Sequence, residues 1–261
     1  MAPWPPTDSL LSIPQLAAID SILTTARSIP NAPIVPDIRE FIVKTPQNAA
    51  ALESATDTTY PMIPLYLLHQ LAKSAVARLI TESGSDPETA DPIGITLAQV
   101  LSKPEHRWNG ISLIDLLWAK YRVRCPWLFG IPAPAGTDEE FNRMVTGLAA
   151  GYSALTLRDF SRSRNANPAP NTMWWATVAQ TLNTPPGHTT VTQYVMLKAL
   201  IENSVPRIIQ IFGGAGRALL RRAVREFVQR GPRTKEGRLR PEVVAVEALQ
   251  VTLHEKYGVS I

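Results

Sequence analysis

Arginines recur at regular intervals in the last third of the chain. Arg217, Arg221 and Arg225 are spaced four residues apart, and Arg222 lies among them. On a helix, residues four apart share a face, so these side chains would form one positive row. The guanidinium fork matches phosphate oxygens, and like charges at this spacing repel unless an anion lies between them. The row favours contact with nucleic-acid phosphates, with a solvated basic face as the alternative.

A second basic cluster precedes a proline-containing loop. Arg158, Arg162 and Arg164 are interspersed with small polar residues, and Trp174 follows the loop. Arginine and serine donors suit phosphate oxygens, and an exposed aromatic ring can stack on bases. The cluster therefore predicts RNA contacts at these four residues, with core packing as the alternative for Trp174.

The densest glycine stretch, residues 213–216, lies directly before the arginine row. Glycines let backbone N–H groups approach a phosphate, and the helix that follows would add its positive end. No Gly-Lys-Ser/Thr follows, so the stretch is not a P-loop, and no strand is evident before it, so the signal for a dinucleotide-binding motif is weak. A hinge between two helices is the alternative interpretation.

No spacing of reactive residues indicates catalysis. The single cysteine, Cys125, excludes disulfides and cysteine-based zinc sites, and its aromatic surroundings favour a buried thiol. None of the four histidines lies three or four residues from another, so no metal motif forms. The carboxylates of residues 138–140 are expected to lie at a helix N-terminus. The four histidines are His69, His106, His188 and His254. We therefore predict no enzyme, no catalytic residue, no metal and no cofactor.

Charge is distributed unevenly along the 261 residues. Residues 1–150 hold 11 basic and 15 acidic side chains, a net charge of −4, whereas residues 151–261 hold 15 basic and 7 acidic, a net charge of +8. With 45% apolar residues the chain has enough hydrophobic material for a core. The segregation of negative charge in residues 1–150 from positive charge in residues 151–261 indicates a polyanionic partner.

The elements that carry these residues are predicted to be helices. Apolar periodicity and proline punctuation indicate an all-α fold of about ten helices in two lobes, with flexible N- and C-terminal arms. Thr137 and Glu140 have the spacing of a capping box, and short strands are predicted at residues 32–35 and 93–96. Residues 84–92 are predicted to be an acidic loop. The predicted helices cover residues 14–27, 46–55, 64–81, 112–124, 137–154, 172–182, 190–203, 206–212, 217–229 and 241–257.

The composition divides the chain into four segments. Residues 1–13 form an N-terminal arm, 14–125 an acidic helical lobe, 137–230 a basic helical lobe, and 231–261 a C-terminal arm and helix. No secretory signal and no run of 18 apolar residues occurs, so the sequence predicts no membrane partner and a soluble, intracellular protein.

Residues 156–160, Thr-Leu-Arg-Asp-Phe, followed by the proline-containing loop and Trp174, resemble the core segment of coat proteins from flexible filamentous plant viruses. The chain's size is also similar to that of nucleoproteins of segmented negative-strand RNA viruses. The resemblance implies an all-helical core, terminal arms that link subunits, and a groove for single-stranded RNA. It implies that Arg158 contacts RNA, or that Asp159 orients that arginine.

These observations lead to a hypothesis about function. The chain is expected to be a viral nucleocapsid or coat protein that binds single-stranded RNA non-specifically, forms homo-oligomers through its arms, and resides in the virion and host cytoplasm. The docking segments of the arms would be residues 10–13 and 259–261, with packing of these segments onto their own domain as the alternative. Alternatives are a helical DNA-binding regulator, an enzyme acting on a phosphorylated or nucleic-acid substrate, and a scaffold whose basic face binds an acidic partner. The predicted RNA-binding residues are Arg158, Arg162, Arg164, Arg217, Arg221, Arg222, Arg225 and Trp174.

Overall fold

The computed structural model describes residues 13–134 and 138–260, and in these ranges helices dominate. The prediction of an all-α fold is confirmed. Two short antiparallel pairs accompany the helices: β1 (Ile34–Val35) with β2 (Tyr60–Pro61), and β3 (Arg107–Trp108) with β4 (Ile111–Ser112). The described α-helices are α1 (Ile13–Arg27), α2 (Ala49–Ser54), α3 (Met62–Arg78), α4 (Ala90–Ser102), α5 (Asp115–Arg124), α6 (Glu139–Thr156), α7 (Asn171–Leu182), α8 (Val191–Ile201), α9 (Val205–Arg221) and α10 (Pro241–Glu255).

Helix α6 lies at the centre of the core. It packs against α4, α8 and the π-helical turn Leu79–Ser83 that continues α3. Close approach at that turn requires Gly147, because a Cβ built there would lie 1.9 Å from the carbonyl oxygen of Leu79. Helix α6 is buried along most of its length, and its sequence combines small residues such as Gly147 and Gly151 with the fully buried Leu148 and Leu155.

Helix α3 packs against α5, and these two helices hold the site described below. On α3, Leu65, Leu68, Ala72 and Val76 follow the three-and-four spacing of a buried helical stripe. The intervening positions face outward, so the polar residues of α3 lie on its accessible side. β2 leads directly into this helix, and the N–H of Met62 donates to the carbonyl of Pro33, which fixes where α3 begins.

Helix α9 contains one sharp kink. Gly213 adopts φ 54° and ψ −124°, a left-handed conformation that favours glycine, and the chain is helical on both sides of it. The break predicted over residues 213–216 is therefore confined to a single residue, in agreement with the alternative of a helix–helix hinge. Beyond α9 a π-helical turn, Arg222–Phe227, carries the chain onward.

Two local predictions were wrong or displaced. Residues 93–96 are not a strand but the buried middle of α4, where neighbours on every side make a continuous apolar run compatible with a helix. The helix predicted to start at Thr137 begins at Glu139, and the Asp138 carboxylate caps it by accepting from the N–H of Phe141 (2.7 Å). Thr137 itself, residues 1–12 of the predicted arm, and Ile261 lie outside the described residues.

Among the described residues, no helix is long and apolar enough to cross a membrane.

Candidate anion-binding site

Basic side chains from α3 and α5 converge where these two helices pack. His69 and Lys73 lie one turn apart on α3, and Lys120 and Arg124 lie one turn apart on α5. We call these four residues the α3–α5 basic cluster. Within residues 13–134 and 138–260, no carboxylate lies at ion-pair distance from any of the four, so no ion pair there neutralises Lys73, Lys120 or Arg124.

The charged neighbours of His69 come from both helices. Partial burial lowers the pKa of His69 below its usual value of 6.5, and the positive charges of Lys120 and then Lys73 lower it further. The two lysines therefore lie near the imidazole although they belong to different helices. An anion placed among them would reverse the electrostatic part of this shift.

The edge of the cluster is apolar and exposed. Tyr66 lies three residues before His69 on α3 with 58% of its surface exposed, and Val123 precedes Arg124 with 79% exposed. Ile34 on β1 (57% exposed) and Met62 at the start of α3 (45% exposed) belong to the same region, because β1 pairs with β2 immediately before α3. Large exposed apolar side chains beside unpaired cations are typical of a surface that contacts a partner.

Sequence reasoning missed this cluster. The signal was present as two basic pairs at four-residue spacing, His69 with Lys73 and Lys120 with Arg124. About fifty residues separate the pairs, and both lie in the half of the chain whose net charge is −4. Only the packing of α3 against α5 brings them together.

The predicted contact residue Arg158 is occupied within the fold. Its Nη1 lies 3.6 Å from Oδ2 of Asp91, and Nη1 of Arg207 lies 2.6 Å from Oδ1 of the same carboxylate. Burial lowers the pKa of Arg158, Asp91 opposes that shift, and Arg207 adds to it. Asp159 is not at ion-pair distance from Arg158, and its carboxylate accepts from the N–H of Ser161 (2.8 Å), although its negative charge also raises the pKa of Arg158. The contacts of Arg158 and Arg207 with Asp91 join the end of α6 to α4 and α9.

Trp174 is a core residue. It is 0% exposed, its indole N–H donates to Oγ of Ser153 (2.9 Å), and its ring stacks on Phe212 at 5.7 Å. Ser153 in turn donates to the carbonyl of Leu200, so one hydrogen-bonded chain links α7, α6 and α8. The buried indole has no face available for a base, in agreement with the alternative of core packing.

The remaining predicted arginines lie on several surfaces. Arg162 and Arg164 are exposed in the loop after α6, and Arg217, Arg221 and Arg225 are exposed on α9 and the turn that follows. Arg222 departs from the row, because its Nη2 donates to Oδ1 of Asn183 (2.9 Å) and its Nε lies 3.8 Å from Glu226. Anion binding by the exposed arginines stays a prediction.

The described residues assemble no reactive centre. Cys125 is fully buried, and burial raises the pKa of its thiol far above the usual value, which keeps it protonated. His106 is buried with Nε2 3.0 Å from Oδ1 of Asp20, a contact between α1 and the segment before β3. No group of three histidine, cysteine or acidic side chains in residues 13–134 and 138–260 is placed to hold a metal.

Comparison with known proteins assigns the chain to a family. The model of the GLE1-like protein family matches residues 32–143 and 133–224, most of the chain. The chain belongs to the GLE1-like family. The α3–α5 basic cluster lies inside the first matched region, whereas α10 lies beyond the second.

One curated relative agrees with this assignment, and two solved structures share the fold. The mRNA export factor GLE1 of Chaetomium thermophilum is 38% identical over 232 residues, covering 82% of this chain. The chain spans 44% of the length of that relative. A chain in the S. cerevisiae complex of the Dbp5 C-terminal domain with Gle1 and IP6 superposes with a TM-score of 0.61 at 16% identity, over 93% of this chain and 87% of its own. A second such complex, with a Gle1 variant, gives 0.60 at 17%, over 95% and 86%.

These findings correct the functional hypothesis drawn from the sequence. A GLE1-like chain is not a viral nucleocapsid or coat protein, so single-stranded RNA as partner, homo-oligomers built through arms, and a place in the virion and host cytoplasm are wrong. A helical DNA-binding regulator and an enzyme acting on a phosphorylated or nucleic-acid substrate do not fit either. The resemblance rested on residues 156–160, which in the structure lie at and just after the end of α6 and contact the rest of the fold through the Arg158–Asp91 pair. The chain is not an enzyme, as the GLE1-like family indicates.

Proposed function

We propose that this chain is the part of an mRNA export factor that binds the C-terminal domain of a Dbp5-like protein together with IP6, and that the α3–α5 basic cluster binds the IP6. Membership of the GLE1-like family and the 38% identity to an mRNA export factor support the general role. The observation that carries the site is that Lys73 and Lys120 meet at His69 from two helices, with Arg124 one turn beyond Lys120, and that no described carboxylate lies at ion-pair distance from any of the four.

The cluster matches the chemistry of IP6. This ligand is a small ring that carries six phosphates, so it needs several cations converging from different directions rather than a row along one helix. Lys73, Lys120 and Arg124 supply permanent positive charge from two helices, and His69 between them gains a proton most easily when an anion is bound. The exposed α9 arginines lie along one helical segment and present a line of charge instead.

The apolar edge of the cluster suits a bound protein domain. Tyr66, Met62 and Ile34 are each more than 40% exposed, and such side chains gain most when a partner removes them from water. An anion held next to them would contact both proteins at once. The complex would then be stabilised by apolar contact and by phosphates shared between two basic surfaces.

The site is tested by calorimetric titration of IP6 into the purified chain. Lys73→Gln combined with Lys120→Gln should weaken IP6 binding by at least about tenfold, because two charge-assisted contacts are lost. Arg217→Gln combined with Arg221→Gln removes the same charge from another exposed surface and should change the Kd less than about threefold.

Equal losses in the two paired variants would show that IP6 responds only to net charge, and the assignment of the α3–α5 basic cluster would then be wrong. Native IP6 binding that is undetectable at micromolar concentrations would also contradict the proposal.

A further inference from the structure

The last helix presents an apolar stripe to solvent. Val244, Ala248 and Val251 follow one another at four- and three-residue spacing on the outer side of α10, and the two valines are 45% and 57% exposed. Glu247 and His254 lie along one edge of this stripe and Glu255 lies at its end. We call these six residues the α10 outer stripe. Together with Gln250 they line a shallow trough of about 560 Å³.

The opposite side of α10 is fully committed to the core. Val243, Val246, Leu249 and Leu253 are at most 2% exposed, and the helix packs against α8 and the turn after α9. The helix ends firmly, because Gly258 in the left-handed conformation (φ 62°) and the bond from the N–H of Val259 to the carbonyl of Leu253 close it. The outer stripe is therefore held on a rigid element, and a partner could bind it with little loss of entropy.

The charge around the stripe is acidic in an otherwise basic half of the chain. Residues 241–255 contain three glutamates and no lysine or arginine, whereas residues 151–261 as a whole carry a net charge of +8. Glu247 and Glu255 are exposed, and among the described residues neither has a cation at ion-pair distance. An apolar stripe bordered by unpaired carboxylates is complementary to an apolar stripe bordered by cations.

We propose that the α10 outer stripe is a docking surface for a basic amphipathic helix of a partner protein. Positions 244, 248, 251 and 255 span about 16 Å along the axis, the length of roughly three helical turns, which is the contact length of a short helix laid alongside. Apolar residues of the partner would cover the two valines, and lysines or arginines next to them would meet Glu247 and Glu255. This surface lies outside the family-model match at residues 32–224 and does not depend on the IP6 site.

A synthetic peptide serves as the probe. An 18-residue helix-forming peptide with leucines on one face and lysines beside them, labelled for fluorescence anisotropy, should bind the full chain. Val244→Ser combined with Val251→Ser should weaken this binding by at least about tenfold, because the apolar contact is lost. Ile22→Ser, which changes an exposed apolar residue on α1, should leave it unchanged.

A charge exchange separates docking from general attraction. Glu247→Lys combined with Glu255→Lys should weaken binding of the lysine peptide and create binding of its glutamate counterpart. All four substituted positions are exposed, so the variants should unfold thermally as the native chain does. No binding by the native chain, equal binding of a scrambled peptide, or equal binding by the valine variant would overturn the proposal.

Discussion

His69 is the one group in the candidate site whose charge changes near neutral pH. Its pKa lies below 6.5 because partial burial and the nearby Lys120 and Lys73 disfavour the imidazolium. A bound polyanion favours the imidazolium, so the pKa of His69 is higher in the complex than in the free chain. Binding therefore takes up protons, and the contribution of His69 to IP6 affinity grows as the pH falls through its pKa.

This linkage predicts a pH dependence that His69→Gln removes. Between about pH 7.5 and pH 5.5 the native affinity for IP6 should rise relative to that of the variant by about three- to tenfold. IP6 itself titrates in this range, but it does so equally for both proteins, so the ratio of the two Kd values isolates the histidine. A ratio that stays constant with pH would show that His69 does not contact the bound anion.

At the scale of single residues, the sequence shows which side chains are charged or aromatic but not which groups surround each of them in the fold. Arg158 and Trp174 were predicted to meet RNA because of their types, yet Asp91 pairs with the arginine and Ser153 and Phe212 bury the tryptophan. These partners are 67, 21 and 38 residues away along the chain. A side chain's type sets what it can bind, whereas tertiary contacts decide whether it is available.

At the scale of elements, close packing of helices depends on residues that have no side chain. Gly147→Ala on α6 should destabilise the fold by about 2 kcal/mol or more, because the added methyl group would collide with the backbone of Leu79 and the π-helical turn cannot yield freely. Gly214→Ala on α9 has open space around it and a helical conformation, so it should be neutral or stabilising by a few tenths of a kcal/mol. Urea unfolding of both variants measures the difference, and similar free energies of unfolding for the two would contradict this account of α6.

Most element types could be predicted because helical periodicity and proline punctuation are local signals. The helix predicted over residues 172–182 agrees with α7 to within one residue. Helix α4 was missed because Ile93, Ile95 and Leu97 are all buried, and a segment covered on every side loses the periodicity that distinguishes a helix from a strand. Helix ends were predicted only to within a few residues, because neighbouring residues can each act as the cap. In α6 the cap is Asp138, one residue after the predicted Thr137.

At the scale of the whole molecule, a sum of charge along the chain says little about which basic side chains lie close together. The basic excess of residues 151–261 drew attention to the arginine row, whereas the convergent cluster forms in the half with net charge −4. A sum over residues cannot show which charges neutralise one another. In the structure, Arg158 and Arg207 share Asp91, while Lys73, Lys120 and Arg124 have no described carboxylate beside them. The all-α fold was therefore predictable from sequence, and the candidate site was not.

We propose that one anion, IP6, connects this chain to a Dbp5-like protein through the α3–α5 basic cluster. If so, IP6 and the protein partner must strengthen each other's binding by the same factor. The direct measurement is the Kd between this chain and the C-terminal domain of a Dbp5 homologue, with and without saturating IP6, for the native chain and for Lys73→Gln with Lys120→Gln. We expect IP6 to tighten the native complex by at least about tenfold and the paired variant to lose this gain. An equal gain in both proteins, or no gain in the native one, would contradict it.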